Sequence, residues 1–358
     1  MTIAVVGAGI TGLSAAWELI QNTGEVTVLE AERRAGGMIV TERRDGFVVE
    51  GGPDGFLAAE LDIQDLAREV GIDDHLVDQA IKGSTLWTGR QLEALPEGRA
   101  AELLGIQWRQ SAGAQHAAPL QSGFRTFASG MAQIGEALVA KLGHCIRRAQ
   151  RVSGLAPAAP GWRLTTSDGS SLDAAAVVLA VPAWVAGRLL SSVAVAGAQS
   201  LGDVVYQPSI TVSLAYRASQ VPADLDGTGF VSAADWGGRV RACTYAWRKY
   251  PGRAPDGFAL LRVFLGPVDG DPATIAHSEL AQILGVRGAP LWARTFEWPR
   301  GLPRYDHHHA ERVARVRDGL ARLPPLAIAG AAFDGVGVSA CVKSGKAAGK
   351  SVLDRLGD

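Results

Sequence analysis

Three features are scarce in this 358-residue sequence: cysteine, an excess of either charge, and long apolar runs. Its three cysteines lie far apart without a CxxC pair, which argues against a disulfide framework or a zinc site and fits a reducing cytoplasm. The 35 basic and 36 acidic residues leave a formal charge of -1, which argues against nucleic-acid binding by bulk electrostatics. The longest apolar run, Ala174–Ala186, contains a proline and is shorter than the roughly 18 residues of a membrane span.

The composition that is present suits a folded protein with a sizeable core. Hydrophobic residues make up 47% and charged residues 20% of the chain, which excludes a disordered protein. The length predicts two domains. The first ten residues, MTIAVVGAGI, lack the basic region of a signal peptide and predict a first strand instead.

The two ends of the chain share one pattern, and the middle has another. TIAVV (2–6), a glycine turn, the helically spaced LSAAWELI and VTVLE (26–30) predict a βαβ unit with parallel strands. LAIAGAAFDGVGVS, near the end, repeats the order of strand, glycine turn and helix, whereas residues 210–264 alternate as in an antiparallel sheet. We therefore predict an α/β fold: a doubly wound, Rossmann-like domain built from separated segments, plus an antiparallel-sheet domain.

The first glycine turn is a GxGxxG motif in the context that a dinucleotide site requires. Its residues are Gly7, Ala8, Gly9, Ile10, Thr11 and Gly12. The first glycine permits the tight turn, the second lets the backbone approach a pyrophosphate, and the third lets helix pack on strand. Glu30 ends the second strand, where a carboxylate can accept ribose hydroxyls. The alternative is a glycine turn that serves packing alone.

The residues after Glu30 favour FAD over NAD. Arg34 and the pair Gly36–Gly37 place a second cation and a second backbone nest near the first turn, which suits a tightly held cofactor. Here the chain resembles the flavin-containing amine oxidase superfamily, whose members carry E-x-x-x-R-x-G-G after the second strand. Met38 stands where that superfamily usually has arginine or another large residue, which weakens one expected pyrophosphate contact. The resemblance implies FAD as the cofactor.

Later motifs narrow the resemblance to the FAD-dependent protoporphyrinogen and coproporphyrinogen oxidases. EGGPDGF (50–56) resembles the turn that lies along the flavin in that family, and Val152 matches the position whose backbone meets the adenine. FEWPRGLPRYDHHHAERV (296–313) and AGAAFDGVGVSACVKSG (329–345) resemble two further family segments, with His309 on the family's histidine. Beyond the first turn, the implied cofactor residues are Glu30, Arg34, Gly37, Met38, Gly52, Pro53, Asp54, Gly55, Val152, Asp334, Val336, Gly337 and Val338.

The closing glycine turn also has a physical reason to bind a flavin. Asp334 can bond ribityl hydroxyls, and Gly335 and Gly337 let the backbone come close to the ring system. A helix starting near Ser339 would direct its positive end at the flavin and stabilise negative charge on the reduced ring. The alternative is again a turn needed only for packing.

The resemblance implies an activity: oxidation of a porphyrinogen, protoporphyrinogen IX or coproporphyrinogen III, to the porphyrin in haem biosynthesis. It implies three two-electron steps, with O2 as acceptor and H2O2 as product. The cofactor carries the hydride chemistry, and nothing in the sequence singles out a catalytic side chain. Three alternatives remain: another flavin amine oxidase, a desaturase-like oxidoreductase, and a non-catalytic FAD-binding paralogue.

The domain boundaries and the remaining candidate sites follow from the same patterns. We predict an FAD-binding domain from residues 1–90, 126–190 and 311–358, a shortened cap at 91–125 and a substrate domain at 191–310. The cap has no wide apolar helical face, so we expect no membrane contact. Three adjacent histidines, 307–309, lack metal-ligand spacing, so we expect no metal. The basic residues Arg239, Arg241, Arg248, Lys249 and Arg253 face either substrate propionates or solvent. The oligomeric state stays open.

Overall fold

The computed structural model describes residues 2–23, 25–96, 99 and 123–357. Its helices are α1 (Ile10–Thr23), α2 (Asp62–Val70), α3 (Ala132–Leu142), α4 (Ala183–Ser191), α5 (Ala246–Lys249), α6 (Pro272–Leu284), α7 (His309–Leu320) and α8 (Val338–Gly357). Its strands are β1 (Ile3–Val6), β2 (Val26–Leu29), β3 (Thr41–Arg44), β4 (Phe47–Glu50), β5 (Phe56–Leu57), β6 (Leu76–Asp78), β7 (Ser84–Trp87), β8 (Leu92–Leu95), β9 (Phe124–Phe127), β10 (Ile146–Arg147), β11 (Val152–Ala158), β12 (Gly161–Thr166), β13 (Ser171–Ala174), β14 (Ala176–Leu179), β15 (Tyr206–Arg217), β16 (Gly229–Ser232), β17 (Val240–Tyr245), β18 (Phe258–Leu265), β19 (Trp292–Pro303) and β20 (Leu326–Ile328). Short 3-10 helices cover Asp73–His75, Gly143–Cys145, Ala198–Asp203 and Ala218–Gln220.

A five-stranded parallel sheet forms the centre of the cofactor half, in the order β10-β2-β1-β14-β20. Ile3 of β1 pairs with Val26 on one side and with Ala176 on the other. Every residue of β1, β2 and β14 is buried, because helices or a second sheet cover both faces. The predicted βαβ unit is therefore present, and strands from distant parts of the chain complete the sheet.

Two apolar layers cover this parallel sheet. Val5 and Val28 face a cluster that contains residues of α1, α2, α3 and α8. Val6 and Leu29 face the opposite cluster, formed with β11, β12, α4 and α7. Successive strand residues point to opposite faces, so each short strand contributes to both cores. This is the doubly wound α/β architecture that the sequence predicts, and it is confirmed.

The second half is a seven-stranded sheet in the order β19-β15-β18-β17-β16-β7-β8. Its pairings are antiparallel, as predicted, except that β7 runs parallel to β16. β7 lies within the segment 1–90 that we assigned to the cofactor domain, yet it joins this sheet because Phe230 pairs with Thr85. The boundary near residue 90 therefore does not separate the two sheets.

The two faces of the antiparallel sheet have different surroundings. Val212 and Val263 pack against Leu280 of α6, so that face is a closed apolar core. Ser213 and Arg262 project from the other face, toward the turn at residues 51–55. In the described part of the chain, no helix has the length and the hydrophobicity to cross a bilayer.

Candidate cofactor site and adjacent sheet face

The first glycine turn lies where β1 ends and α1 begins, at the carboxyl edge of the parallel sheet. Gly7 has φ +99°, a conformation that side chains with a Cβ rarely adopt. The first N–H groups of α1 have no partner within the helix, and the helix dipole adds partial positive charge there. The turn therefore has the backbone donors and the shape that a pyrophosphate requires.

Glu30 lies directly beside this turn, as predicted. One carboxylate oxygen accepts the N–H of Ala8 at 2.6 Å, and the other accepts the N–H of Glu32 at 2.8 Å. The side chain is 9% exposed. Each carboxylate oxygen keeps a free lone pair after these bonds, so Glu30 can still accept ribose hydroxyls.

Arg34 makes bonds that the sequence did not predict. Its guanidinium donates to the carbonyl oxygens of Ala35 at 2.9 Å and Ile39 at 3.2 Å, and also to that of Gly37. These bonds hold the side chain on its own loop and keep its positive charge beside Gly37, and its role as a cofactor residue stays a prediction. Arg34 therefore holds the backbone around Gly37 and Met38. The sequence of the loop alone does not reveal which way the Arg34 side chain points.

Two backbone contacts join this loop to its neighbours. Gly36 donates its N–H to the carbonyl of Ala8 at 2.7 Å, which binds the second glycine pair to the first turn. A Cβ on Gly52 would lie 1.9 Å from the carbonyl oxygen of Met38, so only glycine permits this approach. The structure thus brings together the three predicted segments that contain Gly7, Gly37 and Gly52.

The turn Gly52–Pro53–Asp54–Gly55 is held by charges from the antiparallel-sheet half. Lys249 of α5 lies 2.9 Å from the Asp54 carboxylate, and Arg262 donates to the carbonyl of Gly52. Burial alone would raise the pKa of Asp54, but the charges of Lys249, Arg262 and Arg253 and the hydrogen bond from Lys249 lower it to about 2. Asp54 is therefore ionised at neutral pH.

Sequence reasoning missed the buried charges behind this turn. Glu50 is 4% exposed and accepts bonds from Thr41 at 2.6 Å and from the N–H of Met131 at 2.8 Å. Its carboxylate lies 3.4 Å from the guanidinium of Arg253, and burial still raises the pKa of Glu50. Arg262 was detectable, because it is a charged residue at the centre of the apolar strand FALLRVFL.

The basic residues that we considered for substrate carboxylates divide between several roles. Arg253 is 2% exposed and donates to Thr126 and to the carbonyls of Phe127 and Ala128, so it serves the interior. Lys249 pairs with Asp54, and Arg248 donates to the carbonyl of Leu225. Arg253 therefore faces neither substrate propionates nor solvent, which were the two expectations for these residues.

The remaining predicted cofactor residues lie on two further elements. Val152 begins β11 and is buried in the same apolar cluster as Leu29 of the strand that ends at Glu30. Val336 and Gly337 lead into α8, which starts at Val338. The beginning of this helix therefore follows the closing turn, as predicted.

Asp334 has partners that the sequence did not predict. One oxygen accepts the guanidinium of Arg317 at 2.6 Å, and the other accepts the hydroxyl of Ser344 at 2.5 Å. Ser344 in turn accepts the N–H of Gly330 at 2.8 Å. Asp334 thus stabilises the closing turn and has lone pairs left for a ligand hydroxyl.

The three adjacent histidines do not share one site: the ring centroids of His307 and His308 lie 4.0 Å apart, and His309 packs elsewhere. His307 and His308 are exposed, whereas His309 is buried and its ring stacks on Tyr305, with 3.9 Å between ring centroids. Among the described residues there is no group of three or more His, Cys, Asp or Glu side chains placed to hold a metal ion.

A cavity of about 310 Å³ lies behind the Arg34 loop, between α1 and α3. Ile10 and Leu13 form part of its wall, and Gly135 and Val139 face them from α3.

The space between the glycine turns also fits a dinucleotide cofactor. A Cβ added to Gly9 would meet nothing nearer than the Cα of Gly37, at 3.9 Å. The cradle between the two glycine turns is thus open to a ligand's phosphates.

Comparisons with known proteins agree with this geometry. The model of the family described as flavin containing amine oxidoreductase matches residues 10–129 and 99–353. The chain is 28% identical to coproporphyrinogen III oxidase of Propionibacterium freudenreichii subsp. freudenreichii, covering 98% of this chain and 90% of that protein. It is 24% identical to coproporphyrinogen III oxidase of Bacillus subtilis (strain 168), covering 99% and 98%.

Solved structures show the same fold. A protein from Exiguobacterium sp. 255-15 that carries the provisional name protoporphyrinogen oxidase superposes with a TM-score of 0.82 at 22% identity, covering 100% of this chain and 99% of that one. Cyclohexylamine oxidase from Brevibacterium oxydans IH-35A superposes with a TM-score of 0.76 at 15% identity, covering 100% and 99%.

Proposed function

Because this chain belongs to the flavin containing amine oxidoreductase family and is an FAD-dependent oxidoreductase, we propose that it oxidises a porphyrinogen to the porphyrin. The substrate is protoporphyrinogen IX or coproporphyrinogen III, oxidised in three two-electron steps. O2 is the acceptor and H2O2 its product. Nucleic acid and an integral membrane contact have no part in this function.

The observation that carries the proposal is the sequence similarity to porphyrinogen oxidases. The relatives named coproporphyrinogen III oxidase are 24–28% identical over 98–99% of the chain, which includes both the parallel sheet and the antiparallel sheet. Coverage of the second sheet alone does not select a substrate, because cyclohexylamine oxidase also covers 100% of this chain by structure, at 15% identity. The higher sequence identity to proteins named for a porphyrinogen is what favours this substrate class.

The described residues supply binding and orientation. When bound, FAD would supply the acceptor for a hydride from a bridging carbon of the substrate. The turn Gly7–Gly12 and Glu30 would hold the phosphate and ribose end, and Val152 would meet the adenine. Arg34, Gly37, Met38 and the turn Gly52–Gly55 would line the middle, and the segment Asp334–Val338 would hold the ring end.

No side chain is assigned as a base. Despite the burial of Asp54, the ion pair with Lys249 lowers its pKa, so this carboxylate accepts a proton poorly. Burial raises the pKa of Glu50, but its carboxylate is only 4% exposed and is already engaged by Thr41, the N–H of Met131 and Arg253. The Asp334 carboxylate is engaged by Arg317 and Ser344, and that of Glu30 by the N–H groups of Ala8 and Glu32. We therefore propose that orientation and electrostatics, not a side-chain base, are the protein's contribution.

The cellular setting and the division into domains are proposals of the same kind. The three cysteines are free and buried, which fits a reducing cytoplasm. We keep the FAD-binding domain at 1–90, 126–190 and 311–358, and the substrate domain at 191–310, with β7 as a strand that the first contributes to the second. The cap at 91–125 lies mostly outside the described residues.

The test is anaerobic reduction of the bound flavin. Purified, FAD-loaded protein is mixed with protoporphyrinogen, coproporphyrinogen, an aliphatic amine or a polyene, and the absorbance of the oxidised flavin is followed. We expect bleaching by a porphyrinogen, and porphyrin fluorescence after air is admitted. Bleaching by the amine or the polyene alone would assign another branch of the family, and no bleaching by any of them would indicate a non-catalytic paralogue.

A further inference from the structure

One eight-residue segment, Trp298–Tyr305, contacts two glycine turns: the turn at residues 51–55, proposed to line the middle of the cofactor, and the closing turn, proposed to hold its ring end. Trp298 lies on β19 and donates its indole N–H to the carbonyl of Gly51 at 2.7 Å. Tyr305 follows the end of β19, and its hydroxyl bonds two groups of the closing turn. The contacted residues of the two turns are 280 to 284 positions apart in sequence, yet the same short segment holds them both.

The bond from Trp298 sets the direction of a peptide group. In a trans peptide the C=O and the following N–H point in opposite directions. The carbonyl of Gly51 points at the indole of Trp298, so the N–H of Gly52 points away from that side chain. Arg262 holds the next carbonyl, that of Gly52, from the same face of the sheet, since its partner Ser213 and the Trp298 partner Ser209 are four residues apart on β15.

The hydroxyl of Tyr305 spans the closing turn. It donates to the carbonyl of Ala331 and accepts the N–H of Gly335 at 2.9 Å. Its ring is stacked on the buried ring of His309 at the start of α7, with 8° between the ring planes. The side chain therefore links the start and the end of the turn that leads into α8.

We propose that Trp298 and Tyr305 are positioning residues that form one brace: the brace sets the separation and orientation of the two cofactor turns, and thereby the affinity and reduction potential of the flavin. This inference rests on the proposed placement of FAD along those turns. Neither side chain needs to touch substrate. Both act through backbone N–H groups, those of Gly52 and of the start of α8, which stabilise negative charge on a reduced ring.

The same antiparallel sheet offers matched control residues. Trp87 and Tyr245 are buried in its apolar core on the α6 side. Within the described residues, neither the Trp87 Nε1 nor the Tyr245 hydroxyl has a hydrogen-bond partner. Trp87→Phe and Tyr245→Phe therefore make the same chemical changes as Trp298→Phe and Tyr305→Phe without removing a bond to either turn.

The experiment compares these four variants and the double variant Trp298→Phe/Tyr305→Phe. The FAD dissociation constant is measured by flavin fluorescence, and the midpoint potential is measured against reference dyes with a chemical reductant. We expect each brace variant to weaken FAD binding by about fivefold, because one or two buried hydrogen bonds are lost. We also expect the midpoint potential to fall in both, while the two control variants match the wild type. Because the two residues hold the same pair of turns, the loss of FAD affinity in the double variant should be smaller than the product of the two single-variant losses.

These measurements need no porphyrinogen, so they remain decisive if the proposed substrate is wrong. Wild-type affinity and potential in both brace variants would overturn the inference, as would equal losses in brace and control variants, which would indicate general destabilisation. If the fold-losses of FAD affinity in the two single variants multiplied in the double variant, Trp298 and Tyr305 would be two independent contacts and not one brace. Tyr305→Phe removes one oxygen atom only, so this variant can be measured even if the Trp298 variant does not fold.

Discussion

Gly9 is the residue at which the cofactor cradle can be tested with little disturbance of the fold. Its added Cβ would make only an ordinary contact with Gly37 at 3.9 Å. We therefore expect Gly9→Val to fold but to purify without FAD, because the side chain would occupy the space where the backbone approaches the pyrophosphate. Flavin absorbance per protein and the circular dichroism spectrum measure the two effects.

The matched control for this substitution is Gly202→Val, because a Cβ there meets nothing within 4 Å. Gly202 lies far in sequence from the cofactor turns, and we expect that variant to be yellow. If Gly9→Val retained FAD as the wild type does, the turn would be a packing element and the cofactor would have to lie elsewhere.

Asp334 tests whether a carboxylate contacts the cofactor directly or only stabilises its turn. Removing the carboxylate in Asp334→Ala loses a charge-assisted bond, which costs about 1.5–3 kcal/mol. We expect FAD binding to weaken by about 10- to 150-fold, or flavin reduction to slow, while the fold is retained. The dissociation constant and a rapid-mixing reduction rate are the measurements.

Arg317→Ala provides the comparison, because it breaks the 2.6 Å ion pair and leaves the carboxylate in place. Arg317 is partly exposed, so the pair alone contributes little to stability. A much larger loss of FAD in Asp334→Ala than in Arg317→Ala would support direct contact. Equal losses of FAD in the two variants would mean that Asp334 only stabilises the closing turn and does not contact the cofactor.

The turn at residues 51–55 and helix α5 form a unit whose stability depends on pH. The ion pair with Lys249 holds the pKa of Asp54 at about 2 in the folded state, below its ordinary value of 3.8. A lowered carboxyl pKa contributes stability that is present above the unfolded value, near pH 4, and that is lost as the pH falls through 2. Asp54→Asn should therefore cost about 1–2 kcal/mol at neutral pH and progressively less between pH 4 and pH 2.

Urea unfolding of wild type and variant at several pH values measures this difference. Asp256→Asn changes an exposed aspartate on the turn before β18 and should leave the stability difference near zero throughout. A difference between wild type and Asp54→Asn that stayed constant down to pH 2 would contradict the coupling to Lys249.

The elements were predictable where the local pattern decides them. The apolar runs at 2–6, 26–30 and 176–181 became β1, β2 and β14, because a β-branched run bounded by turns has few alternatives. The glycine turns were recognisable for the same reason, since spacing and context occur together in a short stretch. The parallel pairing of β7 with β16 joins residues about 145 positions apart, and no local pattern contains it.

The site was predictable as a set of turns and not as a set of side-chain contacts. Arg34 bonds its own loop, Asp334 pairs with Arg317, and Arg262 reaches Gly52 across 210 positions of sequence. The Arg34 bonds depend on the conformation of its loop, and the other two contacts depend on tertiary placement; residue type and spacing determine neither. The resemblance to a family supplied the approximate cofactor position, whereas the fixed carbonyls and the ion pairs appear only in the fold.

At the scale of the whole molecule, this chain is shorter than the relatives with which it aligns. The alignment with the Bacillus subtilis protein extends over 463 positions, whereas this chain has 358 residues. The relatives therefore carry segments that this chain lacks. The interval Gln91–Arg125, where we expect a shortened cap, has 35 residues in sequence and lies largely outside the described residues.

A shortened cap predicts weak discrimination between substrates. An open pocket excludes less water and orients a macrocycle less well, so turnover should be low and the kcat/KM values for protoporphyrinogen and coproporphyrinogen should agree within about tenfold.

Two experiments test this prediction. Detergent-free protein is assayed on both substrates under air, with porphyrin fluorescence as the readout. The protein is also centrifuged with lipid vesicles, and we expect it in the supernatant. A strong preference for one porphyrinogen would mean that side chains outside the cap select the substrate, and sedimentation with the vesicles would refute the absence of membrane contact. An FAD-loaded protein that gave no porphyrin fluorescence on either substrate would refute the porphyrinogen oxidase function, because the cofactor would then be present without this activity.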